Sequence, residues 1–262
     1  MRIARFTTGE DPRYGVVQAA DGVESIAVIT GDPLYTPVAF TGEVVPLDDA
    51  VRLLAPVIPR SKVIGIGKNY VDHAAEMGGE VPEEPLAFLK PNTSVIGPGD
   101  PVVLPPQSAE VHYEGELAIV IGRLCKDVPR ERVAEVILGY TCANDVTARD
   151  LQRKDGQWWR AKGFDTFCPL GPYLVTGLDL ATASDLSLTT RRDGEVVQQA
   201  RTSQMVFDIA TLVVHVSSVM TLLPGDVILT GTPAGVGPVT AGQRVEVDIE
   251  GLGVLSNPMV RR

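Results

Sequence analysis

One segment, residues 111–122, constrains the fold more than any other part of the chain. Glu114 and Glu116 stand two residues apart in it, and five apolar residues follow. Alternate side chains of a strand point to one face, so a strand here places both carboxylates together, roughly 6.6 Å apart along its axis. The apolar neighbours are typical of a buried strand, in which two carboxylates without a cation would be costly.

A third carboxylate, Asp145, ends the next predicted strand, over residues 139–143. Three carboxylates with no thiolate nearby favour a hard divalent ion, Mg²⁺ or Mn²⁺. An octahedral ion so held keeps three open positions, and a 2-oxo carboxylate can fill two of them. The alternative is an edge strand with solvated glutamates and a helix-capping aspartate, and these residues alone do not separate the two interpretations.

Candidate cationic and polar groups follow that aspartate. Thr147 as N-cap and Asp150 three residues later predict a helix start. Arg149 and Gln152 then share a face of this helix, where the arginine can bind a carboxylate and the glutamine can orient a carbonyl. Lys162 lies among aromatic residues and can hold a substrate carboxylate or stabilise an enolate. Ordinary polar surface residues are the alternative for each.

A candidate acid–base pair comes earlier in the chain. His73 and Glu76 stand three apart in a predicted short helix, so Glu76 can orient His73 to take a proton from water or from a carbon acid. A solvated helix face is the alternative. A glycine-rich turn after the strand predicted over residues 226–230 has amides that can bind an anion, and Thr232 adds a hydroxyl. For it the alternative is a plain hairpin turn.

Composition excludes several classes of protein. A net charge of −10 and a pI near 4.8 argue against nucleic-acid binding. Three widely spaced cysteines predict free thiols in a reducing compartment. The start of the chain has no apolar leader, and the most apolar stretch, residues 209–223, is shorter than the ~18 apolar residues of a membrane span. We therefore expect a cytoplasmic protein that binds neither nucleic acid nor membranes. The Gly-Ile-Gly of residues 65–67 lacks the third glycine of a dinucleotide fingerprint.

Many short predicted strands, few helices and 26 glycines indicate an α+β, mostly β fold. Prolines in residues 55–61 predict a boundary between a small N-terminal β-rich domain, residues 1–58, and a larger domain, residues 59–262, which contains all the candidate catalytic residues. Two helices are predicted, one over residues 129–138 and one over residues 203–222 that Ser203 caps.

Five stretches in this order resemble the fumarylacetoacetate hydrolase family. They are residues 67–76 (Gly-Lys-Asn-Tyr-Val-Asp-His-Ala-Ala-Glu), 88–91 (Phe-Leu-Lys-Pro), 114–116 (Glu-Gly-Glu), 144–152 (Asn-Asp-Val-Thr-Ala-Arg-Asp-Leu-Gln) and 224–233 (Pro-Gly-Asp-Val-Ile-Leu-Thr-Gly-Thr-Pro). The resemblance covers about residues 62–260. It implies a mixed β-sandwich roll of the family's C-terminal-domain type, a homodimer, and one Mg²⁺ or Mn²⁺ per subunit.

Carried over residue by residue, the resemblance implies a full set of site residues. The metal ligands would be Glu114, Glu116 and Asp145. The catalytic dyad would be His73 and Glu76, on a lid helix, and Lys162 would stabilise the enolate. The substrate-binding residues would be Arg149, Gln152 and Thr232. The chain lacks the long N-terminal domain, with its additional aspartate ligand, of fumarylacetoacetate hydrolases proper. It is more similar to compact bacterial, acylpyruvase-like members, and residues 155–171 resemble 2-hydroxyhepta-2,4-diene-1,7-dioate isomerases.

The resemblance implies a magnesium-dependent enzyme that acts on pyruvate-like 2-oxo dicarboxylates through a metal-stabilised enolate. Isomerisation of the 2-hydroxyhepta-2,4-diene-1,7-dioate type and C–C hydrolysis of acylpyruvates, both reactions of aromatic-compound catabolism, are the expected activities. Oxaloacetate decarboxylation is an alternative that shares the enolate. A catalytically inactive metal-binding scaffold is the alternative of another class, and the complete set of acid–base, lysine and carboxylate residues argues against it.

Overall fold

The computed structural model describes residues 1–261. Strands hold 42% of the residues and helices 17%, which confirms the predicted mostly β class. The strands are β1 (Arg2–Thr7), β2 (Arg13–Ala20), β3 (Val23–Ile29), β4 (Phe40–Pro46), β5 (Arg52–Leu54), β6 (Val63–Gly67), β7 (Leu86–Lys90), β8 (Val95–Ile96), β9 (Val102–Val103), β10 (Val111–Tyr113), β11 (Gly115–Ile121), β12 (Ile137–Asn144), β13 (Thr147–Ala148), β14 (Cys168–Thr176), β15 (Ser187–Arg192), β16 (Glu195–Arg201), β17 (Val227–Leu229), β18 (Gly237–Pro238), β19 (Arg244–Ile249) and β20 (Gly253–Val260). The α-helices are α1 (Val71–Glu76), α2 (Val133–Val136), α3 (Arg149–Asp155), α4 (Trp159–Lys162), α5 (Leu180–Ala183) and α6 (Ile209–Val219).

Three sheets form the mixed β roll. The largest has the strand order β4-β3-β2-β1-β14-β12-β11-β17-β6-β7, with β5 paired to β1 and β8 to β14. A five-stranded sheet has the order β16-β15-β19-β20-β9, and a three-stranded sheet the order β13-β10-β18. Most neighbours are antiparallel, while β6 pairs parallel to β17. The strands of residues 1–58 continue the large sheet, because β1 pairs with β14. The domain boundary after residue 58 stays a prediction.

Strand β11 lies near the centre of the molecule and is buried on both faces. Leu117, Ile119 and Ile121 pack in one hydrophobic cluster, and Ala118 and Val120 pack in another on the opposite face. A fully buried leucine or isoleucine contributes about 1.5–3 kcal/mol to stability. Packing from two sides therefore fixes the strand on which Glu116 lies.

The predicted single strand over residues 111–122 is wrong in one respect, because the chain divides at Glu114. β10 belongs to the three-stranded sheet and β11 to the large sheet. At the junction the amide of Glu114 donates to Asn144 Oδ1 at 2.9 Å, and the amide of Gly115 donates to Gln198 Oε1 at 3.0 Å. Side chains from distant parts of the chain thus replace the strand hydrogen bonds at this point.

The helix predicted over residues 129–138 is present but shorter, and it is of mixed 3₁₀ and α type. A 3₁₀ turn, Arg130–Arg132, leads into the four-residue α2, and the next residues already belong to β12. Gly139 lies within β12; a Cβ there would lie 2.3 Å from the carbonyl oxygen of Val175, so the glycine permits close strand packing. Cross-strand pairing outweighs the local helical pattern here.

The helix predicted over residues 203–222 is present but shorter. It begins after Asp208, whose side chain accepts a hydrogen bond from the amide of Thr211 at 2.8 Å. Ser203 is not its cap, because its hydroxyl donates to Asp185 Oδ1 at 2.6 Å. Within residues 1–261, no helix combines the length and the apolar character that crossing a membrane requires.

Candidate active site

Three carboxylates meet where β11 and β12 run side by side. The register pairs Gly115 with Asn144, which brings Glu114 and Glu116 next to Asp145 at the end of β12. All three side chains are buried, and one carboxylate oxygen from each lies within 4.8 Å of the others. The antiparallel pairing thus produces the cluster that the spacing of the glutamates predicts.

Three cations surround two of these carboxylates. Lys162 Nζ lies 2.6 Å from Glu114 Oε2 and 2.6 Å from Asp145 Oδ2. Arg149 Nη2 donates to Glu114 Oε1 at 2.5 Å. Lys90 Nζ donates to Asp145 Oδ1 at 2.5 Å. Ammonium and guanidinium groups therefore compensate the charges of Glu114 and Asp145.

Glu116 is different, because no cation contacts its carboxylate within residues 1–261. Its side chain is 1% exposed, and Oε2 accepts a hydrogen bond from the amide of Gly231 at 2.7 Å. A buried anion with one neutral donor is poorly stabilised. An all-oxygen set of three carboxylates with one uncompensated charge suits a hard divalent cation, so these residues fit the predicted Mg²⁺ or Mn²⁺.

The pKa values reflect this division of charge. Burial and the neighbouring Asp145 and Glu114 raise the pKa of Glu116 well above its ordinary value. Burial alone would also raise the pKa of Glu114, but Lys162 and Arg149 outweigh it and lower that pKa. Burial alone would lower the pKa of Lys162, but Asp145 and Glu114 outweigh it and raise that pKa. Lys162 therefore keeps its proton at neutral pH.

Lys90 is a site residue to which the sequence assigned no role. Its side chain is 2% exposed, and its ammonium lies between Asp145 Oδ1 and, at 3.4 Å, the carbonyl oxygen of Val146. The available signal was a lysine that ends an apolar strand just before Pro91. A lysine so placed needs a buried anionic partner. No nearby feature of the sequence identifies that partner as Asp145, which lies 55 residues away.

His73 and Glu76 lie on the six-residue helix α1. His73 Nδ1 is 3.3 Å from Glu76 Oε2, and the amide of Gly235 donates to both oxygens of Glu76, at 3.1 and 3.2 Å. Burial lowers the pKa of His73 below 6.5; Glu114 and Glu76 oppose this shift only in part. The ring is therefore neutral at pH 7. A carboxylate at Nδ1 favours the tautomer with its hydrogen there, which leaves Nε2 free to accept a proton.

The predicted substrate-binding residues differ in whether they have a hydrogen-bond donor free for a ligand. Gln152 Oε1 accepts from Arg149 Nη1 at 2.6 Å, while the amide nitrogen of Gln152 donates to no acceptor within residues 1–261. The hydroxyl of Thr232 donates to the carbonyl oxygen of Gly115 at 2.9 Å and accepts from Gln198 Nε2 at 2.8 Å. Gln152 can thus donate to a ligand, whereas the hydroxyl hydrogen of Thr232 is already engaged.

The predicted cap before α3 is wrong. Thr147 lies in the short strand β13 and donates through Oγ1 to the carbonyl oxygen of Asp145 at 2.9 Å. Asp150 does not complete a capping box, because its carboxylate accepts from the hydroxyl of Ser108 at 2.6 Å and the amide of Ala109 at 2.9 Å. The helix still places Arg149 and Gln152 on one face, as their spacing predicts.

The glycine-rich turn binds two anions, and both are side chains of this chain. The amide of Gly231 holds Glu116, and the amide of Gly235 holds Glu76. Gly235 has φ +98°, and a Cβ there would lie 2.0 Å from the carbonyl oxygen of Val197. One turn thus connects the carboxylate cluster to the acid–base pair.

The Gly-Ile-Gly of residues 65–67 makes room for aromatic rings. A Cβ at Gly65 would lie 2.2 Å from the ring of Phe88, and one at Gly67 would lie 2.6 Å from the ring of Trp158. These two rings meet edge to face, with centroids 5.4 Å apart. The ammonium of Lys162 lies 5.0 Å from the centroid of Phe88, a favourable cation–π distance.

One cleft joins these groups. It is lined by seven of the nine predicted site residues, and also by Lys68, Met77 and Trp158 among others. The seven are Glu114, Glu116, His73, Arg149, Gln152, Lys162 and Thr232. Of the other two, Asp145 is bonded to Lys162 and Glu76 contacts His73. The structure therefore brings all nine into one site.

Comparisons with known proteins identify the family of the chain. The model of the fumarylacetoacetate (FAA) hydrolase C-terminal domain matches residues 62–260, and an Rv2993c-like N-terminal model matches residues 1–56. The structure of 5-carboxymethyl-2-hydroxymuconate delta-isomerase from Mycobacterium smegmatis is 53% identical, with TM-score 0.91 and 100% of both chains covered. The structure of 2-hydroxyhepta-2,4-diene-1,7-dioate isomerase from Mycobacterium marinum is 48% identical, with TM-score 0.90, and covers 100% of this chain and 99% of that one. Human mitochondrial oxaloacetate tautomerase FAHD2A is 49% identical over 219 residues, 80% of this chain and 70% of its own. The chain is therefore an enzyme of the fumarylacetoacetate hydrolase family.

Proposed function

We propose that the protein is a divalent-metal-dependent isomerase that moves a proton within 2-oxo dicarboxylates through an enolate. The observation that carries this proposal is a buried histidine that lines the same cleft as Lys162 and two carboxylates of the cluster, Glu114 and Glu116. The names of the similar proteins, two isomerases and a tautomerase, support it. Isomerisation of the 2-hydroxyhepta-2,4-diene-1,7-dioate type is the form we favour.

The three carboxylates would hold the metal. Glu114, Glu116 and Asp145 supply only oxygen ligands, and the unpaired charge of Glu116 supports Mg²⁺ or Mn²⁺ there. A divalent ion bound at this site would supply Lewis-acid stabilisation of negative charge on the 2-oxo oxygen.

His73 would carry the proton. In the keto-to-enolate direction, Nε2 accepts the proton from carbon 3, the C–H electron pair enters the bond between carbons 2 and 3, and the carbonyl π pair moves to the oxygen on carbon 2. Glu76 stabilises the imidazolium that forms, because it contacts Nδ1 at 3.3 Å. The proton returns to carbon 3, or to carbon 5 when the enolate is conjugated with a second double bond.

Lys162 would act through its charge rather than as an acid. Its raised pKa keeps the ammonium protonated while negative charge grows on the substrate oxygen. Gln152 would orient the substrate with its free amide hydrogens, and Arg149 would hold Gln152 in place at 2.6 Å. Thr232 would contribute shape, since its hydroxyl hydrogen is bound to the main chain.

Hydrolysis of acylpyruvates and decarboxylation of oxaloacetate remain alternatives, because both pass through the same enolate. The homodimer, the cytoplasmic location and the role in aromatic-compound catabolism stay predictions.

Proton NMR in deuterated water separates these reactions. The panel contains oxaloacetate, an acylpyruvate and the seven-carbon diene diacid, each with Mg²⁺ and with chelator, and the uncatalysed rate is subtracted. We expect deuterium exchange and migration of the double bond, dependent on Mg²⁺, with all carbons retained. Pyruvate with carbon dioxide as the main product would replace the proposal with a decarboxylase, and C–C cleavage would replace it with a hydrolase. Equal rates after chelation would refute the metal dependence.

A further inference from the structure

One cation that lines the cleft has no role in the site described above. Arg149 and Lys162 are occupied by Glu114 and Asp145. Lys68 is half-buried in the same cleft, and within residues 1–261 no carboxylate lies in ion-pair contact with its ammonium. Its charge is therefore available to a ligand.

The main chain holds Lys68 in an unusual conformation. Its φ is +56°, in the left-handed region that is unfavourable for a residue with a Cβ. The next residue, Asn69, is fully buried; its Nδ2 donates to the carbonyl oxygen of Thr230 at 2.8 Å, and its Oδ1 accepts from the amide of Phe207 at 2.8 Å. These contacts anchor the turn, and strain retained at a lining residue suggests a functional placement.

The ammonium of Lys68 lies close to the end of α1. Gly79 follows α1, and a Cβ at that position would lie 2.4 Å from Lys68 Nζ. Gly67, the residue before Lys68, leaves room for the ring of Trp158 on this wall of the cleft. The lysine thus occupies a defined place between the end of α1 and the aromatic wall.

We infer that Lys68 binds the distal carboxylate of a 2-oxo dicarboxylate and so makes the enzyme prefer dicarboxylates to 2-oxo monocarboxylates. The inference rests on the proposed function and specifies its substrate class. A second carboxylate must be bound against the overall charge of −10, which requires a local cation. Lys68 is the cation lining the cleft that the carboxylate cluster leaves unpaired.

A matched pair of substrates tests this role. Oxaloacetate and 2-oxobutyrate have the same four-carbon chain, and only oxaloacetate has a distal carboxylate. We compare KM for exchange of the carbon-3 protons in wild type, Lys68→Met, Lys68→Arg and the control Lys154→Met, which removes an exposed lysine of α3. Removing Lys68 is expected to reduce the preference for oxaloacetate by about 10–100-fold, the worth of a hydrogen bond to a charged group. Lys68→Arg should restore part of the preference, and Lys154→Met should retain it.

The outcomes separate this inference from the proposed function. An equal loss for both substrates, or an unchanged preference, in folded Lys68→Met would overturn the role of Lys68. If wild type exchanges neither substrate, the proposed function fails, and calorimetric titration of the Mg²⁺-loaded protein with oxaloacetate and with oxalate still decides the inference. Lys68→Met should then weaken oxaloacetate binding more than oxalate binding, and equal weakening would refute the inference.

Discussion

The carboxylate cluster and the His73–Glu76 pair belong to one site but are held in different ways. Glu116 extends from a strand packed on both faces, and three buried cations surround its two neighbours. His73 and Glu76 lie on a six-residue helix, and Glu76, with 34% of its side chain exposed, is anchored by the amide of one loop glycine.

This difference indicates that the two parts of the site have different functions. The sheet core fixes the groups that stabilise charge, and a short surface helix carries the group that moves a proton. Changes in the cluster should therefore alter both stability and activity, whereas changes in the pair should alter activity alone. Four substitutions test this separation.

Glu116→Gln should have the largest effect, with opposite signs on activity and stability. Metal-dependent turnover should be lost, because the cluster loses its least compensated charge. The metal-free protein should become more stable at pH 7, because the substitution removes a buried carboxylate whose ionised form the fold disfavours. Because the pKa of Glu116 is raised in the fold, its ionised form destabilises the fold, and this difference should grow as pH rises above 4.5. Urea unfolding between pH 4 and pH 8 measures it, and a less stable variant would contradict the account.

His73→Gln should lower kcat by about 10²–10⁴-fold, the usual contribution of a general base. Stability should change little, and oxalate should still bind. In wild type the lowered pKa of His73 predicts that activity falls only when the pH drops below 6.5, because the neutral ring is the base. His215→Gln on α6 is the control. A pH profile of kcat/KM whose acidic limb lies above 6.5 would count against His73 as the base.

Lys90→Met compares two buried Lys–Asp pairs. The substitution removes the ammonium that contacts the buried carboxylate of Asp145. It should destabilise the fold by about 3 kcal/mol and weaken metal binding by about 10–100-fold. Lys62→Met removes the partner of the buried Asp226, away from the cleft; it should destabilise the fold and leave metal binding intact. Calorimetric titration with Mn²⁺ makes the comparison. Equal metal affinity in both variants would mean that Lys90 does not position Asp145.

Glu76→Gln should have the smallest effect, about a tenfold loss of kcat, equivalent to one hydrogen bond. Because the hydrogen bond of Glu76 raises the pKa of His73, its loss should move the acidic limb of the pH profile to lower pH. Glu80→Gln, at an exposed position just beyond α1, is the control. A shift of that limb to higher pH would show that Glu76 does not support the imidazolium.

Local patterns predicted much of this molecule. The alternation along β11 and the three-residue spacing of His73 and Glu76 are each features of a single element, and each is seen in the structure. The two-residue spacing of Glu114 and Glu116 is also local, and both carboxylates lie in the cluster. The division of the strand at Glu114 could not be predicted from the sequence. It depends on hydrogen bonds to Asn144 and Gln198, which lie 30 and 83 positions further along the chain from their donors. The helix predicted over residues 129–138 ends at Val136, because pairing of β12 with β11 outweighs local propensity from Ile137 onward.

Two further residues of the site, Lys90 and Lys68, were not predicted for the same reason. Lys90 becomes a site residue only through its contact with Asp145, and Lys68 only through its left-handed turn and the space beside Gly79. Spacing along the chain does not encode either feature. The charge balance of the folded cluster identifies Lys90, and the lining of the cleft identifies Lys68.

The central claim is that three carboxylates hold a divalent ion through which a 2-oxo acid is bound. Calorimetric titration of oxalate, a stand-in for the pyruvate enolate, into protein treated with chelator and then into protein reloaded with Mg²⁺ tests it most directly. The account predicts one oxalate bound per chain in the reloaded protein, no measurable binding without metal, and no restoration by Mg²⁺ in Glu116→Gln. Equally tight oxalate binding before and after chelation would contradict it.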